Sequence, residues 1–219
     1  MQAYQALHCG EALWKLGQYA DSATMLELAS KSNRIKINVG ENRVESLLSQ
    51  ERFRPALELA QQVITANPGM APDWKRALIQ DEAIAQSHLG MKGPALAELA
   101  TFRTPDQLAG NSEDLARQKL AAAEIYLWLG MSAEAHDAAA PALEYFTSTG
   151  QVDSETRSLY LLTVASKGSK DEAICQSSSK NIVDTLAKVR QDWGLGPFEQ
   201  YMSRPDLRTL ALRFAKTCK

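Results

Sequence analysis

The chain has 219 residues and a net charge of −2, which results from 24 basic and 26 acidic side chains. A charge this evenly balanced lacks the basic patch that neutralises a phosphate backbone, so we do not expect nucleic-acid binding. No apolar run approaches the roughly 20 residues that span a membrane. Hydrophobic residues make up 45% of the chain but aromatic residues only 7%, a mixture that favours closely packed, alanine-rich helices over a β-sandwich.

From the N-terminus onward, apolar residues recur at helical spacing in paired segments, which predicts helical hairpins. The five hairpins cover residues 3–31, 35–66, 73–103, 112–147 and 153–185, and together they form one solenoid over residues 1–193. A break at residues 194–197 and a short turn at 198–201 precede a last helix at 207–217. The apolar stripe of this helix predicts that residues 194–219 form a capping segment, because the end of a solenoid otherwise exposes a hydrophobic face.

One turn position in each hairpin can be placed in a common register. These positions are Gly17, Glu51, Gly90, Gly130 and Gly168, at intervals of 34, 39, 40 and 38 residues. Gly130 is expected to end a helix in the left-handed conformation that glycine adopts without steric cost, and Ser132 is expected to cap the next helix. Five residues after each turn lies a small residue that lets two helices approach closely: Ser22, Ala56, Ala95, Ala135 and Ala173. Repeats of about this length are typical of stacked helix pairs.

Two segments carry a resemblance to the tetratricopeptide repeat family, residues 13–20 (LWKLGQYA) and residues 52–60 (RFRPALELA), the latter followed by Pro68. The resemblance implies an all-α fold in which the hairpins stack into an α-α superhelix with a C-terminal capping helix. The later repeats keep mainly a Gly-x4-Ala pattern and look like the degenerate repeats at the ends of large bacterial regulators. We therefore expect a non-catalytic protein–protein interaction scaffold, the regulatory or sensory region of a larger bacterial protein.

In this family the first helix of each repeat lines a groove that holds a peptide or a helix of a partner. Carried over by register, the groove residues are Glu11, Trp14, Glu41, Glu45, Gln80, Ile84, Glu124 and Leu127, with Leu7, Leu48, Ser87, Leu120, Ser158, Leu162 and Ala165 at the remaining positions. The acidic groove residues would repel the C-terminal carboxylate that some family members bind. They predict a basic, amphipathic protein or peptide as the partner.

The sequence contains no pattern that indicates catalytic, cofactor-binding or metal-binding residues. The three histidines, His8, His88 and His136, lie in different repeats, and we expect them at the surface or in the groove. The adjacent Asp81 and Glu82 are expected to be solvated or to complement a helix dipole. No enzymatic activity and no cofactor are therefore expected.

The three cysteines, Cys9, Cys175 and Cys218, have no CxxC spacing. Cys9 is expected to pack on its helix as a small apolar residue. An odd number of cysteines without a signal-peptide pattern favours free thiols and a cytoplasmic location. The N-terminus begins directly in a helical pattern, which indicates that the segment belongs to a longer chain.

Two other functions fit the same pattern. A ligand or peptide in the groove could change the curvature of the solenoid, which would make the chain a sensing domain. Alternatively, an open end of the solenoid could bind a second copy, which would make the chain a self-assembling, homo-oligomeric adaptor.

Overall fold

The computed structural model describes residues 2–102, 111–166 and 172–217, and of residues 172–175 and 217 the backbone only. Within these ranges the chain forms twelve α-helices, one short 3-10 helix and no strand, so the predicted all-α class is confirmed. The helices are α1 Gln2–Lys15, α2 Tyr19–Ser30, the 3-10 helix Asn33–Ile35, α3 Lys36–Ser49, α4 Phe53–Ala66, α5 Pro72–His88, α6 Lys92–Leu99, α7 Ser112–Trp128, α8 Ser132–Thr149, α9 Val152–Ser166, α10 Glu172–Trp193, α11 Leu195–Met202 and α12 Pro205–Thr217. None of these helices is long and apolar enough to cross a membrane.

The turn positions of the first four hairpins have left-handed backbone, which the sequence predicts for Gly130. Gly17, Gly90 and Gly130 have φ angles of 80°, 72° and 76°, and Glu51 has a φ angle of 57°. Left-handed backbone is unusual for a residue with a side chain, so Glu51 carries a steric cost that the three glycines do not. The fifth predicted turn position, Gly168, lies outside the described residues.

The small residue five positions after each turn has the predicted packing role. Ser22, Ala56, Ala95 and Ala135 are all fully buried, and the side chain of Ala173 is not among those described. The Ser22 hydroxyl donates to the carbonyl oxygen of Gly10 over 2.7 Å, so even the polar member of this set is satisfied within its hairpin. A larger side chain at these positions would push the two helices apart.

Two predicted helix boundaries are wrong. Met131, not Ser132, occupies the N-cap position of α8, and no side chain caps that helix, because Ser132 is already its first helical residue. The predicted break and short turn at residues 194–201 are mostly helix, since α11 begins directly after Gly194, whose φ angle is 80°. Pro197 is tolerated there because the first turn of a helix needs no N–H donor.

The helices form two layers. The first helices of the hairpins, α1, α3, α5, α7 and α9, contact one another in sequence and form an inner layer. Each is packed against the second helix of its own hairpin, which lies outside it. Successive hairpins therefore contact each other along the inner layer and also where α2, α4 and α8 pack against the first helix of the next hairpin.

The C-terminal helix α12 joins the last hairpin to earlier ones. Its Leu207 and Leu210 are buried, and the helix packs against α9, as a cover of the last hairpin would. It also packs against α3 of the second hairpin, which no sequence pattern indicated. Just before α12, the guanidinium of Arg204 donates to the carbonyl oxygen of Lys15 in α1 over 3.0 Å. The C-terminal segment thus connects both ends of the inner layer.

Candidate functional site

The inner layer lines a cavity of about 890 Å³, to whose wall α10 contributes Trp193 and the C-terminal segment contributes Tyr201 and Arg204. A volume of this order is typical of ligand-binding sites. Because the wall comes from five hairpins and the C-terminal segment, its shape depends on how the hairpins are arranged relative to one another.

Most of the groove residues carried over by register line this cavity. Those on its wall are Trp14, Glu41, Glu45, Gln80, Ile84 and Glu124, together with Leu48 and Leu120. Glu11 is not on the wall, and its carboxylate instead accepts a hydrogen bond from Lys15 Nζ over 2.6 Å. Leu127 is buried in an apolar cluster with residues of α8, α9 and α12.

The remaining register positions are covered by other helices. Leu7 and Ser87 are buried, and so are Ser158 and Ala165 of α9. Ala165 and Leu162 belong to the same apolar cluster as Leu210 of α12, so the C-terminal helix occupies the inner face of the last hairpin. The wall therefore extends from the end of α1 through α3, α5 and α7 to the first half of α9.

Three carboxylates on the cavity wall form an acidic cluster: Glu41 and Glu45 of α3 and Asp81 of α5. Glu41 and Glu45 are one helical turn apart, which places them on the same face. Burial, together with the charge of Glu45, raises the pKa of Glu41 to about 8. Burial also raises the pKa of Glu45, and burial with the charges of Glu45 and Glu41 raises that of Asp81 well above its ordinary value. These carboxyls therefore retain protons at a pH at which exposed carboxyls have lost them.

Asp81 is buried, contrary to the expectation that Asp81 and Glu82 are solvated. Its Oδ2 atom is fully buried and has no hydrogen-bond partner in the described part of the chain. Glu82 is buried as well, and burial raises its pKa while a hydrogen bond with Gln61 opposes that effect. The expectation failed because the packing of α5 against α3, α4 and α7 removes these carboxyls from solvent.

The positive charges that act on the acidic cluster have other partners. Lys15 pairs with Glu11 over 2.6 Å, and Arg117 pairs with Glu113 over 2.9 Å. Among the described residues, Glu41, Glu45 and Asp81 form no ion pair of their own. The cluster is therefore an excess of acidic groups, and the cations beside it do not neutralise it.

A chain of ion pairs crosses the other side of the cavity. Arg157 Nη2 donates to Glu124 Oε2 over 2.6 Å, and Arg157 Nη1 also pairs with Asp206. Arg204, which is 1% exposed, donates to Asp206 over 2.7 Å and to Asp153 over 2.8 Å. Burial acts to raise the pKa of Glu124, but the charge of Arg157 and the hydrogen bond with His88 lower it to about 2. This network fixes the C-terminal segment to α7 and α9.

Contrary to the expectation that His88 lies at the surface or in the groove, its side chain is buried and His88 is not among the residues that line the cavity. Its ring is stacked on Phe53 with centroids 3.9 Å apart, lies 4.1 Å from the Trp128 ring, and bonds Glu124 Oε1 over 2.9 Å. A buried imidazole that is held between two aromatic rings and a carboxylate supports the packing of α4, α5 and α7. By contrast, His8 is exposed as expected.

The described residues contain no group of three His, Cys, Asp or Glu side chains that could hold a metal ion. Cys9 is exposed, so the expectation that it packs as a small apolar residue is wrong; its side chain faces away from the cluster that buries Ala6 and Leu7. The side chain of Cys175 and all of Cys218 lie outside the described residues.

Several residues of the site carried no clear signal in the sequence. Asp81 follows the register position Gln80 by one residue, and both residues line the cavity. A groove prediction that included the neighbours of each register position would therefore have identified Asp81. Arg117, Arg157 and Arg204 enter the site only through contacts between distant parts of the chain.

Comparisons of the chain with protein-family models, with curated proteins and with solved structures found no match.

Proposed function

We propose that the chain is a non-catalytic binding module, a solenoid of tetratricopeptide-like hairpins whose inner cavity takes a segment of a partner protein. The observation that carries this proposal is the cavity itself, which lies on the face where the register placed the groove and is lined by six of the eight groove residues. The left-handed turns and the buried small residues support the tetratricopeptide-like arrangement. The module belongs to the regulatory or sensory region of a larger bacterial protein.

The wall of the cavity supports a partner of mixed chemistry. Apolar groups such as Ile84 and Leu48 alternate with the acidic cluster, so a basic, amphipathic segment is complementary to it. Binding energy in such sites comes mainly from a few buried anchors, while charge complementarity gives specificity and speeds association.

The test is selection of peptides from a random displayed library on the whole chain, followed by affinity measurement on two variants. Gln80→Trp places a large side chain in the cavity, whereas the matched control Gln62→Trp makes the same change on the exposed side of α4. We expect the selected peptides to lose binding to Gln80→Trp and to keep it with Gln62→Trp, while circular dichroism shows both variants folded. Peptides that bind all three proteins equally would place the binding surface elsewhere.

A sensing role is the second candidate, and one observation favours it. Tyr201 and Arg204 of the C-terminal segment line the cavity. Arg204 also donates to Lys15 of α1 and to Asp153 of α9, and α12 packs against α3. A ligand in the cavity therefore touches the element that connects the first and last hairpins. If the chain is a sensor, binding of a selected peptide should change the radius of gyration of the chain in X-ray scattering. An unchanged radius of gyration would contradict the sensing role and would be consistent with the scaffold role.

A further inference from the structure

Building on the proposed function, we propose that Glu41, Glu45 and Asp81 form a subsite for one organic cation, an alkylammonium or guanidinium group that enters the cavity. Such a group belongs to a lysine or arginine side chain of a partner protein or to a free polyamine. The two sources share one chemistry, and the experiment below separates them.

The geometry of the acidic cluster supports this subsite. Glu41 and Glu45 share one face of α3, and α3 packs directly against α5, which carries Asp81. All three side chains line the same cavity. The Oδ2 atom of Asp81 is buried and accepts no hydrogen bond in the part of the chain that the structure describes. A buried acceptor of this kind is normally satisfied. Because Asp81 as a residue lines the cavity, we infer that a donor that enters the cavity satisfies it.

The described basic residues of the cavity wall do not supply that donor. The basic residues of the wall each pair with a carboxylate outside the cluster, namely Lys15 with Glu11, Arg76 with Asp73, Arg117 with Glu113, Arg157 with Glu124, and Arg204 with Asp153. An entering cation therefore does not need to displace an existing ion pair of Glu41, Glu45 or Asp81.

The composition of the wall indicates which kind of cation the subsite takes. The described residues contain no group of carboxylates and imidazoles close enough to coordinate a metal ion. Trp14 and Trp74 line the same cavity, and aromatic faces stabilise organic cations. The Trp14 ring already lies beside two cations of the chain, the ammonium of Lys15 at 5.6 Å and the guanidinium of Arg204 at 5.7 Å from its centroid. Carboxylates that are spread over a wall with indole rings fit an ammonium or guanidinium group better than a compact metal ion.

Binding of a cation to the acidic cluster should also release protons. Burial raises the pKa of Glu41 to about 8, so in the empty cavity this group is mostly protonated at neutral pH. A cation stabilises the ionised form and displaces the proton. The other charged groups that act on the cluster are Glu11 and Lys15 of α1, Glu82 of α5, Arg117 and Glu124 of α7, and Asp153 of α9. Because the basic members of this set are already paired, the cation is the new charge in the cavity.

The test is isothermal titration calorimetry at pH 7 on the whole chain. The probes are spermidine, a short alanine-based peptide that carries lysines, and a matched peptide with glutamates at the same positions. The variants are Glu45→Gln and Asp81→Asn, which keep the side-chain shape and remove the acid. The control is Glu58→Gln on the exposed side of α4. Repeating the titration in buffers of different ionisation enthalpy measures the number of protons released.

We expect the lysine peptide to bind with proton release, the glutamate peptide not to bind, and each cavity variant to lose about tenfold in affinity or more while the control keeps it. If spermidine binds and the lysine peptide does not, and the cavity variants lose affinity for spermidine, the cation subsite is supported with a small amine as its ligand. The proposed protein-binding function would then be contradicted. If library-selected peptides bind in the cavity but lack basic residues and ignore Glu45→Gln and Asp81→Asn, the subsite is overturned and the binding module stands. The subsite is also overturned if neither cationic probe binds.

Discussion

Arg204 is the residue on which the connection between the ends of the inner layer depends most directly. Its guanidinium, 1% exposed, bonds the Lys15 carbonyl over 3.0 Å, Asp153 over 2.8 Å and Asp206 over 2.7 Å. Arg204→Met keeps a long side chain in place but removes every one of these donors. The loss leaves two carboxylates of the network with fewer partners in a buried environment, which is strongly destabilising.

The size of the effect follows from what remains after the substitution. Asp153 keeps the hydrogen bond from the Tyr201 hydroxyl over 3.0 Å, and Asp206 keeps its ion pair with Arg157. Breaking a buried ion pair costs about 3–5 kcal/mol, and the surviving bonds place Arg204→Met near 3 kcal/mol. For a chain of this length that corresponds to a fall in Tm of about 6–12 °C.

The assay is urea unfolding followed in parallel by circular dichroism and tryptophan fluorescence. The matched control is Arg208→Met, the same change at an exposed position of α12, which should alter the free energy of unfolding by no more than about 0.5 kcal/mol. The role given to Arg204 is refuted if its substitution costs less than about 1 kcal/mol or no more than the control.

Three further outcomes are expected from unfolding experiments. The pKa of Asp81 is raised in the folded chain, so its contribution to stability is lost as pH rises above about 4. The free energy of unfolding of Asp81→Asn, relative to the wild type, should therefore increase with pH by up to about 1.4 kcal/mol per pH unit. An Asp81→Asn variant that is less stable than the wild type at pH 8 would contradict this expectation. The pKa of Glu124 is instead lowered to about 2, so Glu124→Gln should reduce the free energy of unfolding by on the order of 3 kcal/mol at pH 7. This loss should become smaller as pH falls from 4.5 to 2, because Glu124 is then protonated. A loss that does not depend on pH would show that the charge of Glu124 is not its cause. Glu51 and Gly130 both have left-handed backbone, which glycine adopts more easily than other residues. In thermal melts, Glu51→Gly should therefore stabilise the chain by about 0.5–1 kcal/mol, and Gly130→Ala should destabilise it by about 1 kcal/mol. Effects of equal size and the same sign would exclude this explanation.

Features that depend on local geometry could be predicted from the sequence. The turns at Gly17, Gly90 and Gly130 and the buried Ala135 follow from what two tightly joined helices require, whatever surrounds them. The wall positions Glu41 and Gln80 follow in the same way, because one face of the first helix of each hairpin must point away from the second helix. A single sequence register is enough to find both sets.

Features that depend on distant contacts could not be predicted. The sequence predicts Asp81 as a solvated helical carboxylate, but α3, α4 and α7 enclose it. The sequence predicts His88 at the surface or in the groove, but Phe53 and Trp128 cover its ring. Leu127 shares its register position with Trp14, which lines the cavity, yet Leu127 packs into an apolar cluster that includes Leu210 of α12. No local pattern indicates that α12 returns to α3, so the register alone overestimates the length of the exposed inner face.

The central claim is that the inner cavity, and no other surface, binds the partner. The most direct measurement is photo-crosslinking of a library-selected peptide that carries a photoreactive group, followed by mass spectrometry of the crosslinked chain. We expect the crosslinks to fall on the inner helices α3, α5 and α7 and to disappear in the Gln80→Trp variant. Crosslinks that concentrate on the outer helices α2, α4 or α8, or that persist in Gln80→Trp, would contradict the claim.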